Sequence, residues 1–164
     1  MMTLPTDEIT IDSSIIISLL KKDKYYPDVV KVIEIIKDLE IQVYISHITY
    51  AEIWVGVIAS DHPKNDKIKV NKTLYELFRV KIKDLNVTIA RTAAAAFLKY
   101  KSLKGTREFV IPDFLIGAHA QYYTKSILTT NPRDFQNYIP DLMVLKPSKF
   151  LETLRKRGTK EKLI

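Results

Sequence analysis

The sequence predicts an α/β fold with a central parallel sheet covered by helices on both faces. Three observations predict it. Short β-branched runs alternate with longer segments of helical period along the chain, which is the pattern of strand–helix–strand units. The length, 164 residues, suits one ordinary domain with a sizeable core, and 46% hydrophobic with 27% charged residues marks neither a disordered nor a fibrous chain. No internal repeat, low-complexity tract or linker divides it, so residues 1–164 are expected to form a single domain, with a core over about 8–147 and a basic C-terminal helix over 147–158.

Residues 8–11 alternate as a short strand with Asp12 at its end, and Ser13 and Ser14 open a helix through Ile15, Ile16, Leu19 and Leu20. Residues 25–28, Tyr-Tyr-Pro-Asp, form a loop into a second helix whose Val29, Val32, Ile33 and Ile36 recur at helical spacing. Residues 41–45 are β-branched and alternating, a strand. Ser46 then caps a helix running through Ile48, Ala51, Val55 and Ile58. The polar, Lys-rich stretch 61–72 is expected to hold a helix–helix connection, followed by a helix ending near Phe78 and a strand around 80–85. Asn86 caps a long helix carrying four small side chains, residues 93–96, that permit close packing, and Gly105 stands where such a helix ends. Pro112 starts another helix through Phe114, Leu115, Ala118 and Tyr122. Residues 126–129 form a strand, Asn131-Pro132 a turn, residues 142–145 a last strand, and the tail from Pro147 a basic helix ending near Gly158.

Composition narrows the chemistry. The formal charge is +7 and the pI about 9.4, which favours a polyanionic partner, nucleic acid first, although lysine-rich surfaces also accompany thermophily. With no cysteine, structural disulfides and thiolate metal sites are excluded. The apolar runs 15–20 and 110–120 end well short of the ~20 residues that span a bilayer. The first ten residues show no basic cluster before an apolar stretch, so a cytoplasmic location is the expectation. Four glycines leave no glycine-rich phosphate loop. His47, His62 and His119 stand in unrelated contexts and read as structural or exposed.

In parallel sheets ligands bind beyond the carboxyl ends of the strands, so residues there are the candidates. Asp12 follows the first strand and precedes a helix start, where free N–H groups favour an anion; it is equally placed to be the helix cap. Glu52 lies within Ile48-Thr49-Tyr50-Ala51-Glu52-Ile53-Trp54-Val55, with Ile48, Val55 and Ala59 one or two turns away, so its side chain emerges beside an apolar face. Burying a lone carboxylate there costs several kcal/mol unless a cation or hydrogen bonds compensate. Asp113 stands in the first turn after Ile111-Pro112, where a dipole role is the alternative. Asp134 follows the late strand and the turn Thr130-Asn131-Pro132-Arg133, where Asn131 and Asp134 also suit a reciprocal cap. Four carboxylates from separate elements near one sheet edge are costly without a cation. An oxygen-rich, cysteine-free site suits Mg2+ or Mn2+, which can polarise a phosphodiester and activate water.

The segments Ile-Asp12-Ser-Ser-Ile-Ile-Ile, Tyr-Ile-Ser-His-Ile-Thr-Tyr-Ala-Glu52, Ile-Pro-Asp113-Phe-Leu-Ile-Gly-Ala-His-Ala and Ile-Leu-Thr-Thr-Asn-Pro-Arg-Asp134-Phe, in this order, resemble the PIN-domain nucleases, and among them the VapC-type toxins of VapBC toxin–antitoxin pairs. The resemblance covers residues ~8–147. It implies a PIN-like three-layer α/β/α fold, a divalent metal held by Asp12, Glu52 and Asp113, and endonucleolytic cleavage of RNA. It also implies a homodimer and an antitoxin protein that blocks the groove. Asp134 or Asn131 would supply the fourth polar position, and Thr130 would orient a water or a phosphate oxygen. The first motif departs from the commoner Asp-Thr-Asn, since Ser13 keeps the hydroxyl while Ser14 replaces the amide. Residues 64–72 and the tail Arg155-Lys156-Arg157 could track RNA phosphates. An RNA-processing PIN nuclease without an antitoxin, and a catalytically silent PIN-like module that binds RNA or protein, are the alternatives. A receiver-type signalling domain would need paired acids after the first strand, which Asp12-Ser13 lacks.

Overall fold

In a computed structural model, residues 7–108 and 110–161 are described, with side chains described to residue 156. The order is β1 (Glu8–Ile11), α1 (Ser13–Lys21), α2 (Tyr26–Asp38), β2 (Gln42–Ser46), α3 (His47–Ile58), α4 (Pro63–Asn71) continued by π-helical turns at Lys72–Leu77, β3 (Lys81–Lys83), α5 (Val87–Ser102), α6 (Ile111–Tyr123), β4 (Ser126–Leu128), a 3-10 turn (Pro132–Asp134), β5 (Met143–Leu145) and α7 (Pro147–Glu161). The five strands pair in the order β3-β2-β1-β4-β5 and every pairing is parallel. The predicted parallel α/β architecture is borne out.

Alternation within the strands divides the core in two. Ile9, Ile11, Val43, Ile45 and Leu128 face one layer, where they meet Ile15, Ile16, Val32 and Ile36 of α1 and α2 and Phe150 and Leu151 of α7. Ile127 faces the other layer with Ile89, Ala93 and Ala96 of α5 and Phe114 and Ala118 of α6. Thr10, between Ile9 and Ile11, is fully buried, and its hydroxyl meets that of Thr124 at 2.9 Å. Hydrogen bonding of this kind is what allows a polar strand residue to be buried at little cost.

The topology also fixes where a site can form. From β1 the chain steps outward to β2 and β3, then returns to place β4 on the other side of β1. The order therefore reverses between β1 and β4, and loops leaving those two carboxyl ends diverge and open a crevice.

Several local expectations are corrected. The helix expected only after residue 72 begins at Pro63, because proline at a first helical position is favourable and the lysines lie on its exposed side. Residues 26–28, expected as loop, are the first turn of α2, again with proline at the start. Beyond Ser102 the left-handed residue is Lys104 (φ 60°) and not Gly105. Gly105 is required for a different reason, since a Cβ there would collide with the ring of Tyr100. The helix expected to end near Gly158 continues to Glu161.

Candidate functional site

Asp12 leaves β1 and enters α1 as its N-cap, in extended backbone (φ −94°, ψ 163°), with its side chain accepting from the Ser14 N–H at 2.6 Å. The cap, one of the alternatives open in the sequence, is formed, and it leaves the same carboxylate lining the hollow described below. Register explains its other partner. Ile11 pairs with Leu128 across β1 and β4, and the Asp12 N–H continues the ladder to the Leu128 carbonyl at 3.1 Å, which sets Thr129 opposite Asp12. The Thr129 hydroxyl donates to Asp12 Oδ2 at 2.5 Å. Ser14 closes the network: its hydroxyl donates to Asp12 Oδ2 at 3.2 Å and accepts from the Thr130 N–H at 3.0 Å. A hydroxyl therefore ties β1 to the loop after β4 where the commoner motif carries an amide.

Glu52 sits one turn into α3, behind the Ser46 cap, whose hydroxyl accepts from the Thr49 N–H at 3.1 Å. Ser13 bridges the first two acids, donating to Glu52 Oε2 at 2.7 Å and lying 3.2 Å from Asp12 Oδ1. The expectation about the α3 surface is corrected here. Thr49, Ile53 and Val57 form the buried face, whereas Val55 is 67% and Ile58 73% exposed. Glu52 thus stands at the border between the core-facing side and an exposed apolar side. Apolar residues surround this helix, so period alone cannot tell the two sides apart.

Asp113 projects from the first turn of α6, and Asp134 from the 3-10 turn after β4. Gly117 lets that second segment pack on α6, since a Cβ there would strike Ile139. The reciprocal side-chain cap between Asn131 and Asp134 is not formed; Asp134 Oδ1 accepts instead from Arg107 Nη1 at 2.8 Å. The Asn131 N–H donates to Thr129 Oγ1 at 3.0 Å, which fixes the turn that follows.

Asp12, Ser13, Glu52, Asp113, Thr130, Asn131 and Asp134, the residues singled out from sequence, all line one open hollow of about 460 Å3. Thr129, Lys21, Asp23 and Tyr25 were missed, although Lys21, Asp23 and Tyr25 also line it. For Thr129 a signal existed: a hydroxyl residue directly after the strand that neighbours β1. For the other three nothing short of the fold brings the end of α1 to this crevice.

The electrostatics are those of crowded acids. Burial pushes the Asp12 carboxyl up from its ordinary range, and hydrogen bonds from Thr129, Ser14 and Ser13 pull against it. Glu52 is raised by burial first, opposed by the Ser13 hydroxyl, with Asp12 and Asp134 adding repulsion. Asp113 is pushed up to about 6 by burial, then by Asp134 and Glu52, with Arg107 opposing. Each of these three acids is strained in its charged form, and a nearby cation would relieve all of them.

The donor set fits a hard divalent ion, being carboxylates and hydroxyls without soft ligands. The spacing is open: among the described residues no three His, Asp or Glu side chains are gathered closely enough to hold one ion together. The four acids line the hollow without converging on a single point.

The PIN domain family model matches residues 9–139. The chain belongs to the PIN domain family. Members of this family are generally nucleases, and the recognised motifs fall inside the matched span. No curated protein matches the chain by sequence. Among solved structures, this PIN domain is similar to one in VapBC2 from Rickettsia felis bound to a promoter DNA fragment, at 20% identity and TM-score 0.68, covering 85% of this chain and 98% of that one. It is similar to VapBC-1 from nontypeable Haemophilus influenzae at 25% identity and TM-score 0.64, covering 87% and 99%. FitAcB from Neisseria gonorrhoeae matches at 23% identity and TM-score 0.65, covering 85% and 98%. These likenesses extend the agreement in fold over nearly the whole of each partner structure.

Proposed function

We propose that this PIN domain is a Mg2+- or Mn2+-dependent endoribonuclease, the toxin of a toxin–antitoxin pair. The observation that carries it is the convergence of Asp12, Glu52, Asp113 and Asp134 on one hollow where Asp113 is driven up to about 6 by burial and its neighbours. Asp12, Glu52 and Asp113 would hold the cation. When bound, the ion polarises a phosphoryl oxygen and acidifies a water at neutral pH. Ser13 keeps two of the acids in fixed relation through its single hydroxyl. Thr129 and Ser14 orient Asp12 and oppose the upward push of burial on its carboxyl, and Thr130 and Asn131 line the wall where a phosphate would rest.

RNA as substrate is supported by the basic charge of +7 on a chain whose site itself is acidic, which requires cations elsewhere to meet the phosphates. The lysines of α4 are exposed, as tracking would need, and in the tail Lys156 pairs with Glu152 at 2.8 Å while the Arg157 side chain lies outside the described residues. Self-association is supported by apolar residues left in water, Val55 and Ile58 on α3 and Val87 and Leu98 on α5, each more than 65% exposed. An antitoxin partner is supported by the likeness to VapBC-1 at 25% identity. No described helix is long and apolar enough to cross a membrane, in keeping with a cytoplasmic site of action.

One observation favours a catalytically silent binding module instead, namely the open spacing of the acids. Cleavage decides between the two. Purified protein with Mn2+ is expected to cut a mixed RNA pool, and Asp12→Asn is expected to reduce the rate at least about a hundredfold. Equal cutting by the variant would place the chemistry elsewhere.

A further inference from the structure

The acids of the hollow differ in what already holds them. Asp134 is engaged by Arg107 at 2.8 Å, and the arm that brings this arginine is built into the loop between α5 and α6. The Arg107 N–H donates to the Tyr100 hydroxyl at 2.7 Å, and the guanidinium carbon lies 5.9 Å from the centre of the Tyr100 ring. Gly105 lets the loop approach that ring more closely than any side chain would permit. Tyr100 is itself buried and packed against Phe114 at 5.8 Å and Tyr138 at 5.5 Å. The guanidinium is therefore delivered to Asp134 from a fixed platform, and less rotamer freedom is lost than for an ordinary surface pair.

Asp134 in turn faces Asp113 and Glu52, both of which it pushes toward protonation. A cation in the hollow and the guanidinium at its edge would draw on the same carboxylate. We propose that Arg107 is an internal counter-ion that competes with the divalent cation for Asp134, so that the fourth acid joins the site only when the ion displaces the arginine. The inference rests on the cation-site function proposed above. The 2.8 Å contact occupies one oxygen of Asp134, and that oxygen must be freed before the carboxylate can turn fully to an ion.

Calorimetric titration of Mn2+ into the whole chain tests it, using wild type, Arg107→Ala, Asp134→Asn and the double variant, each checked for cooperative thermal unfolding well above the titration temperature. Arg107→Gln replaces the alanine variant if the latter fails to fold. A partly exposed ion pair is worth up to about 1 kcal/mol, so losing Arg107 is expected to tighten Mn2+ binding by about fivefold. In the Asp134→Asn background the same substitution is expected to change affinity by less than about twofold, because the contested carboxylate is gone. Equal affinity of wild type and Arg107→Ala overturns the inference. An equal gain in both backgrounds also overturns it, since the arginine would then act only through its distant field. Lack of saturable Mn2+ binding in all four proteins would remove the cation site and this inference together, whereas binding indifferent to Arg107 removes the inference alone.

Discussion

Replacing Asp113 by asparagine is expected to stabilise the cation-free protein while destroying its activity. The ordinary carboxyl value of 3.8 is raised to about 6 in the fold, chiefly by burial and by Asp134 and Glu52. Moving a pKa that far corresponds to about 3 kcal/mol against the charged form at full conversion. Asp113 is only half-buried, and water screens part of this, so about 1–2 kcal/mol should remain. Below 3.8 the group is neutral in folded and unfolded chains alike and contributes nothing. As pH rises from 3.8 to about 6 the unfolded chain loses its proton first, so the penalty grows, and it is complete above 6. Asparagine carries no such penalty. Differential scanning calorimetry in chelator should therefore show the variant melting about 3–6 °C above wild type at pH 7.5, and near it at pH 3.5. Saturating Mn2+ should reverse the order, because only wild type gains binding energy, about 2.7 kcal/mol at a hundred times the dissociation constant. A variant that melts at or below wild type in chelator at pH 7.5 would refute the claim that these acids strain one another.

Thr129→Val keeps the shape of a buried side chain but removes the donor to Asp12; Mn2+ affinity should fall about tenfold to a hundredfold, with Asp12 pushed further up. Unchanged affinity would mean that the Thr129 hydroxyl does not tune Asp12. His119 is fully buried and accordingly lowered to about 4, its Nε2 lying 3.0 Å from the Lys83 carbonyl. It contributes stability above pH 6.5 that is lost as pH falls toward 4, opposite in sign to Asp113. The two should thus partly offset one another across pH 4–6, and Asp113→Asn should steepen the decline in stability toward acid, read by urea titration at each pH. Gly117→Ala should force Ile139 and Phe135 to shift, and after the helix-propensity gain of about 1 kcal/mol is subtracted the net cost should be about 0–2 kcal/mol. A melting temperature raised by the full helix-propensity gain would show that this segment is not tightly packed against α6.

What could be read from the sequence followed periodicity and strand ends. Asp12, Glu52 and Asp113 were legible because each sits where a parallel sheet exposes its loops, and their order along the chain matched a family pattern. The α3 surface was not legible: Ile53, Val55, Val57 and Ile58 are all apolar, and only the fold shows that Ile53 and Val57 point inward while Val55 and Ile58 meet water. Arg107 could not be anticipated either. Its partner Asp134 is 27 residues away, and the contact depends on how Gly105 and Tyr100 shape the intervening loop. Thr129 lay between these cases, readable in principle from the alignment of β1 with β4 but invisible to a motif that stresses Thr130.

The most direct measurement is anomalous diffraction from crystals grown with Mn2+. A peak bounded by carboxylate oxygens of Asp12, Glu52 and Asp113 at about 2.1 Å is the predicted result. A protein that cleaves RNA with Mn2+ while its only anomalous peak lies away from these side chains would contradict the account.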